Sequence, residues 1–325
     1  MKVVRFAFTA VHLITFLLLL GTTINSVIVP SMFPYFNLLS LAFPALLIVH
    51  VVLCLWWVLR LKKRALIFIG LTLILIQPIG RWVNWHKRSA KEANLKVVSM
   101  NVKSGSMGRT DLYSYLKGQN ADILLVQESG ADFHVPGYKY STDLYPIVQL
   151  SSKTKILKTE KIATTGNGNA FYADIEFEGK IIRVINVYLN PFAFDKQKVK
   201  PTDDLQENRS TVRYIVKRLI PTFKIHEKEI RDIRRAVEVS PYPVILAGDF
   251  NSVPNSYEYY QIAGKLTDAF VAVGRGLGTT FHDYKFPIRI DYIFVSPEVV
   301  PIHYRVDRSI KLSDHYPVIA EFQFN

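Results

Sequence analysis

Residues 35–59 contain no Asp, Glu, Lys or Arg, and from residue 38 onward they form an almost unbroken apolar run. A helix on the surface of a soluble domain alternates an apolar and a polar face with a period near 3.6, and this run does not alternate. It is long enough for the roughly 20 residues that a bilayer core demands. Residues 6–29 and 65–80 are likewise free of charged side chains. The first of these contains His12 and ends in a Thr22-Thr23-Ile24-Asn25 tail, and the last carries Gln77 and Pro78 near its end. Residues 1–80 are therefore expected to form a membrane anchor with about three transmembrane helices. A signal peptide is the competing reading of the first stretch, because Lys2 and Arg5 precede it; two more apolar segments follow, and no small-residue cleavage site is clear.

The formal charge of +13 has to be placed before it is interpreted. Residues 1–94 hold ten Lys or Arg (2, 5, 60, 62, 63, 64, 81, 87, 88, 91) against one acid, Glu92, which is +9 and leaves +4 for the remainder. Most of the basicity flanks the apolar stretches, where topology and lipid headgroups account for it. It is weak support for a nucleic-acid partner. Lys2, Arg5 and the cluster at 60–64 lie on one side of the first two spans and the loop between those spans carries no charge, so the positive-inside bias places the N-terminus in the cytoplasm. Three spans then put everything after residue 94 outside it, against the opposing bias of Arg81, Lys87, Arg88 and Lys91. The single cysteine, Cys54, lies inside the second span and forms no intrachain disulfide.

Residues 81–94 read as a polar, basic linker, and after them the pattern changes. Short apolar runs at 95–100, 123–127, 170–177, 181–189, 244–247, 289–295 and 318–322 read as strands, several with period two. Helical patterns at 110–119, 203–220 and 226–239 interleave with them, the last densely charged with Ile230, Ile233 and Val237 on one face. Strands with interspersed helices predict a layered α/β domain over residues 95–325.

Polar groups recur where these runs stop. Asn101 follows the first, Glu128 the second, Asp249 and Asn251 the fifth, and Asp314 and His315 precede the last. A carboxylate at the end of a buried strand is costly unless something pairs with it, and a divalent cation is an economical partner.

Taken in order, Asn101, Gln127-Glu128, Gly248-Asp249-Phe250-Asn251, Arg289-Ile290-Asp291-Tyr292 and Ser313-Asp314-His315 resemble the motifs of the endonuclease/exonuclease/phosphatase superfamily. Each is weak alone; five in this order and spacing are specific. Three spans before such a domain also resemble a group of bacterial membrane-anchored members. The resemblance implies a four-layer sandwich, two mixed β-sheets flanked by helices, that hydrolyses phosphate esters with Mg2+, Mn2+ being the alternative metal. By position, Glu128 is the principal metal ligand, with Asp314 contributing and Asn101 orienting the site. Asp249 activates the attacking water, Asn251 holds it or a phosphate oxygen, and His315, paired with Asp291, sits on the scissile phosphate. Tyr188, where many members have histidine, resembles the apurinic-site endonuclease branch, in which the phenol binds phosphate. Lys103 stands where nuclease members often carry another acid, which puts a second metal ligand in doubt.

Singly, Asp249 would be a turn former, Asn101 a strand-end cap and Tyr188 a core residue. His282 and His303 belong to no motif and read as surface or structural. The sequence therefore points to an enzyme of the bacterial inner membrane with an extracytoplasmic catalytic domain and the bilayer as a partner. Its expected activity is that of a nuclease-type phosphodiesterase on nucleic acid. A phospholipid or sphingolipid head-group phosphodiesterase and an inositol-phosphate phosphatase are alternatives, and an inactive membrane-tethered binding protein is the alternative of another class.

Overall fold

The computed structural model describes residues 2–130, 133–143, 145–192, 203–283 and 287–325. Helices α1 (Lys2–Gly21) and α2 (Tyr35–Leu59) lead the chain. The third apolar stretch is broken into α3 (Arg64–Thr72), a 3-10 turn and α4 (Ile76–Gly80). At about 1.5 Å per residue its 17 residues span about 25 Å, short of a typical ~30 Å hydrocarbon core. Among the described residues, α1 with its 3-10 extension and α2 are the two helices long and apolar enough to cross a membrane.

Polar contacts inside the bundle link its helices. Trp57 Nε1–H donates to His12 Nδ1 at 3.0 Å, which leaves the His12 hydrogen on Nε2, facing His50 Nδ1 at 3.0 Å. His50 Nε2 in turn faces Thr72 Oγ1 at 2.9 Å, so α1, α2 and α3 share one hydrogen-bonded line. Such contacts are favoured between helices where no water competes for them.

The rest of the chain is a sandwich. Its strands in chain order are β1 (Val83–Trp85), β2 (Leu95–Asn101), β3 (Ile123–Gln127), β4 (Tyr140–Ser141), β5 (Val148–Ser152), β6 (Ile156–Ile162) and β7 (Asn169–Phe177). They continue with β8 (Lys180–Tyr188), β9 (Val244–Asp249), β10 (Thr267–Asp268), β11 (Arg275–Leu277), β12 (Asp291–Val295), β13 (Val299–Val306) and β14 (Val318–Phe324). One six-stranded sheet runs β13-β14-β2-β3-β5-β4 and the other β10-β12-β9-β8-β7-β6. Their inner faces meet through Val97, Ile123 and Leu125 on one side and Phe171, Val184 and Ile245 on the other. The remaining helices are α5 (Arg109–Gly118), α6 (Leu205–Glu238), α7 (Tyr257–Ala263) and α8 (Ala269–Val273). Leu112 and Leu116 of α5 cover the first sheet, and Ile230 and Ile233 of α6 cover the second. This is the expected four-layer sandwich of two mixed sheets flanked by helices.

Each sheet contains one parallel pair, β2–β3 and β8–β9, and the crossovers between their strands carry α5 and α6. Parallel strands end at the same edge. Asn101 therefore stands beside Gln127 in one sheet and Tyr188 beside Asp249 in the other.

Further sequence expectations also differ from the structure. The helices expected at 203–220 and 226–239 are one helix that runs through Pro221. Leu219 and Phe223 are buried on either side of the proline, and that packing outweighs the lost backbone hydrogen bond. The linker is also partly ordered: Trp82 is buried and β1 pairs antiparallel with β11.

Candidate active site

The two parallel pairs deliver their polar ends to one place. The Asn101 amide nitrogen donates to Glu128 Oε1 at 2.9 Å and to Asp249 Oδ2 at 2.9 Å, joining the two sheets. Its Oδ1 accepts the backbone N–H of Lys103. Asn101 thus holds the two carboxylates. Tyr188 O–H donates to Glu128 Oε1 at 3.0 Å. Burial, then the charges of Glu128 and Asp249, hold the phenol protonated far above its ordinary range, so Tyr188 is a donor and no base.

Local backbone geometry aims these groups. Gly248 has φ +143°, and a Cβ there would collide with the Val187 carbonyl, so β9 approaches β8 this closely only with glycine. Glu128 and Asn251 both have positive φ, a conformation that side-chain-bearing residues adopt at a cost and that clusters at functional sites. Asn251 N–H donates to Asp249 Oδ1 at 2.8 Å, and its side-chain amide donates to the Leu189 carbonyl at 2.9 Å.

β12 pairs with β9 so that Asp291 lies opposite Asp249. Asp291 Oδ2 accepts from His315 Nδ1 at 2.9 Å, and His315 Nε2 lies 3.8 Å from Asp249 Oδ2. Asp249, Asp291 and His315 bring ligand-capable atoms within 4.8 Å of one another. Burial alone would lower the His315 pKa, but the adjacent Asp291 and Asp249 charges outweigh it and raise it to about 9. Burial pushes Asp249 up to about 7, with His315 acting to lower it and Asp291 to raise it.

Asp314 pairs with Lys103 Nζ at 2.8 Å. Lys103, read from the sequence only as a departure, thus puts a cation beside the carboxylates. Arg289, part of the Arg289-Ile290-Asp291 motif, faces away from the cavity: fully buried, it forms a two-pronged pair with Asp268 at 2.8 and 2.6 Å. It anchors the loop ahead of Asp291. Of the histidines outside the motifs, His282 packs on Tyr316 and contacts the Ser313 carbonyl, and His303 lies on β13.

Glu128, Asp249, Asn251, Asp314, His315 and Lys103 line one cavity of about 430 Å³. The donors suit a hard divalent cation. Glu128, Asp249 and Asp314 line the cavity with Asp291 behind them, and among the described lining residues these acids meet two basic side chains, Lys103 and His315.

A family model described as the endonuclease/exonuclease/phosphatase family matches residues 98–315, and the chain belongs to that family. Its members are divalent-metal-dependent phosphoester hydrolases, and this chain is an enzyme of that class. A second family model, described as a domain of unknown function (DUF8431), matches residues 4–82. No curated protein sequence matches the chain. Similar solved structures include a humanized D. rerio TDP2, 19% identical over 70% of this chain and 98% of that one, with a TM-score of 0.53. A Neisseria 3' phosphatase, NExo, bound to a product DNA hairpin, is 22% identical over 71% of this chain and 100% of that one, with a TM-score of 0.51. A Bacteroides thetaiotaomicron mannosyl-6-phosphatase is 18% identical over 71% and 100%, with a TM-score of 0.50. At these identities the likeness is one of fold.

Proposed function

We propose that the chain is a membrane-anchored hydrolase that uses Mg2+, or Mn2+ in its place, to cleave a phosphate ester on the outer side of the membrane. The observation that carries the catalytic reading is the meeting of Glu128, Asp249, Asp314 and the Asp291–His315 pair in one cavity. Glu128 and Asp314 would hold the cation, which when bound polarises the phosphoryl group and offsets its charge. Asn101 and Tyr188 fix the direction of the Glu128 carboxylate. Asp249, raised toward neutrality by burial, is suited to take a proton from water, with the Asn251 backbone holding its other oxygen. His315, kept cationic by Asp291, would donate from Nε2 to a phosphate oxygen.

The anchoring rests on the surface of the helices. Phe6, Leu13, Val52, Ile67 and Ile74 each expose about half or more of their area, an apolar belt that water would not tolerate but lipid would.

A nucleic-acid substrate would call for cationic side chains that follow its backbone. Among the described residues lining the cavity, Lys103 is the sole Lys or Arg, and it is paired with Asp314. The function is tested by incubating purified full-length protein with Mg2+ and bis(4-nitrophenyl) phosphate or 4-nitrophenyl phosphate. Release of nitrophenol that stops in EDTA and returns with Mg2+ is expected. A folded protein inert toward both esters would favour a tethered binding protein instead.

A further inference from the structure

We propose that the substrate is a lipid: an amphiphile whose phosphate ester reaches the carboxylates while its apolar chain remains against the membrane helices. This rests on the hydrolase reading of the same cavity.

The cavity is lined by two unlike sets of side chains. One is the polar set described above, and the other is apolar, with Leu41, Phe192, Leu219, Phe281, Ile288 and Ile290. A water-soluble phosphate ester has no use for that second set. Leu41 does not belong to the sandwich. It lies six residues into α2, about 9 Å along the helix from Tyr35, within one of the two helices long and apolar enough to cross a bilayer.

The apolar set continues into the bundle. Phe281 and Ile290, beside the catalytic groups, belong to the same packed cluster as Phe16 and Leu19 of α1, Phe43 of α2 and Leu75 next to α4. The apolar packing of the bundle thus reaches the edge of the site through these residues.

The depth agrees with this. The first turns of α2 touch the sandwich directly: Asn37 donates to Glu258 at 3.0 Å and Ser40 to the Asn255 carbonyl at 2.6 Å. Leu41 follows immediately. The carboxylates therefore sit close to the end of a membrane-crossing helix, where lipid phosphates lie. A lipid could present its headgroup there while its chain moves from bilayer to those apolar side chains, never exposed to water.

The test keeps the scissile bond constant and changes the chain, by comparing 4-nitrophenyl methyl phosphate with 4-nitrophenyl dodecyl phosphate on the full-length protein in lipid nanodiscs with Mg2+. The dodecyl ester is expected to have a kcat/KM at least roughly tenfold higher. Leu41→Gln and Ile288→Gln, one in the bundle and one in the sandwich, are each expected to remove most of that preference while methyl-ester turnover persists. A second readout needs no turnover: a diazirine-bearing dodecyl phosphate should label the peptide containing Leu41 or Ile288. Equal rates for the two esters, a preference unchanged in both variants, or labelling absent from both peptides would overturn the lipid assignment. So would single-stranded DNA cleaved faster than the dodecyl ester. In each of these cases hydrolysis of the methyl ester keeps the hydrolase reading intact. If neither ester is cleaved, the hydrolase reading fails, and the labelling result alone decides the lipid site.

Discussion

The Asn25 side chain donates to the backbone carbonyl of Asn255 at 2.9 Å, joining the connection between α1 and α2 to the loop that leads into α7, 230 residues away. Both residues are buried, and Ser40 donates to the same carbonyl. Ser31 in the same connection contacts Glu227 through its backbone N–H and its hydroxyl. The α1–α2 connection is therefore held against the sandwich by side-chain hydrogen bonds.

That contact yields a topological prediction. At the other end of the bundle Arg64 donates to Thr9 Oγ1 at 2.7 Å, close to the basic residues that the positive-inside bias assigns to the cytoplasm. The segment from Arg64 ends where Asn255 donates to the Pro78 carbonyl and Arg81 donates to Asn255 Oδ1. It thus runs from the level of Thr9 on α1 to the loop ahead of α7. A reporter phosphatase that works only outside the cytoplasm should be active when fused after residue 325. An inactive but well-expressed fusion there would place the domain in the cytoplasm.

A second prediction isolates the metal. Glu128→Gln keeps the shape of the side chain and can still accept from Asn101 and Tyr188, but loses the charge that would hold a cation. Turnover should fall by at least about 100-fold, while the wild-type gain in melting temperature on adding Mg2+ should largely vanish. A variant that melts and reacts like wild type in Mg2+ would remove Glu128 from the ligand set.

How much of this was legible follows from where each contact lies in the sequence. β3 and β9 are completely buried runs that end in Gln127-Glu128 and Asp249, so polarity breaking an apolar run marked the site directly. The pairing of Asp291 with His315 was legible only through the resemblance, since 24 residues separate them. β6 was missed because only Ile162 of its seven residues is fully buried, and β13 because its pattern is broken by Pro301 at a register shift. Leu41 was invisible for a deeper reason. A leucine in an apolar helix looks like every other, and only the docking of α2 beside Phe281 and Ile288 makes it part of the cavity.

A third prediction concerns the Asp291–His315 pair. Asp291 fixes the imidazole through Nδ1 and stabilises its charged form, as its register with Asp249 allows. Asp291→Asn retains the shape, lowers the basicity of the ring and loosens its orientation. Activity should fall by about 100-fold or more, chiefly in kcat, on the scale of a lost acid-base contribution. If His315→Ala is inactive while Asp291→Asn matches wild type, the pairing has no part in turnover.

The last prediction concerns stability away from the site. Asp307, nearly buried, accepts from Ser309, Arg305 and Tyr115. Burial would raise its pKa, but the hydrogen bonds from Ser309, Arg305 and Tyr115 outweigh it and hold the carboxyl well below the usual carboxylate range. A carboxylate whose folded pKa is depressed adds stability that is fully present above its unfolded value, near 3.9, and that is lost as pH falls below it toward the folded value. Asp307→Asn should therefore cost about 1–3 kcal/mol at neutral pH, on the scale of hydrogen bonds to a charged group. The difference in melting temperature between variant and wild type should be constant from pH 8 to about pH 5 and shrink below about pH 4. A gap that stays the same down to pH 3 would mean that Asp307 acts through shape alone and that its charge contributes nothing.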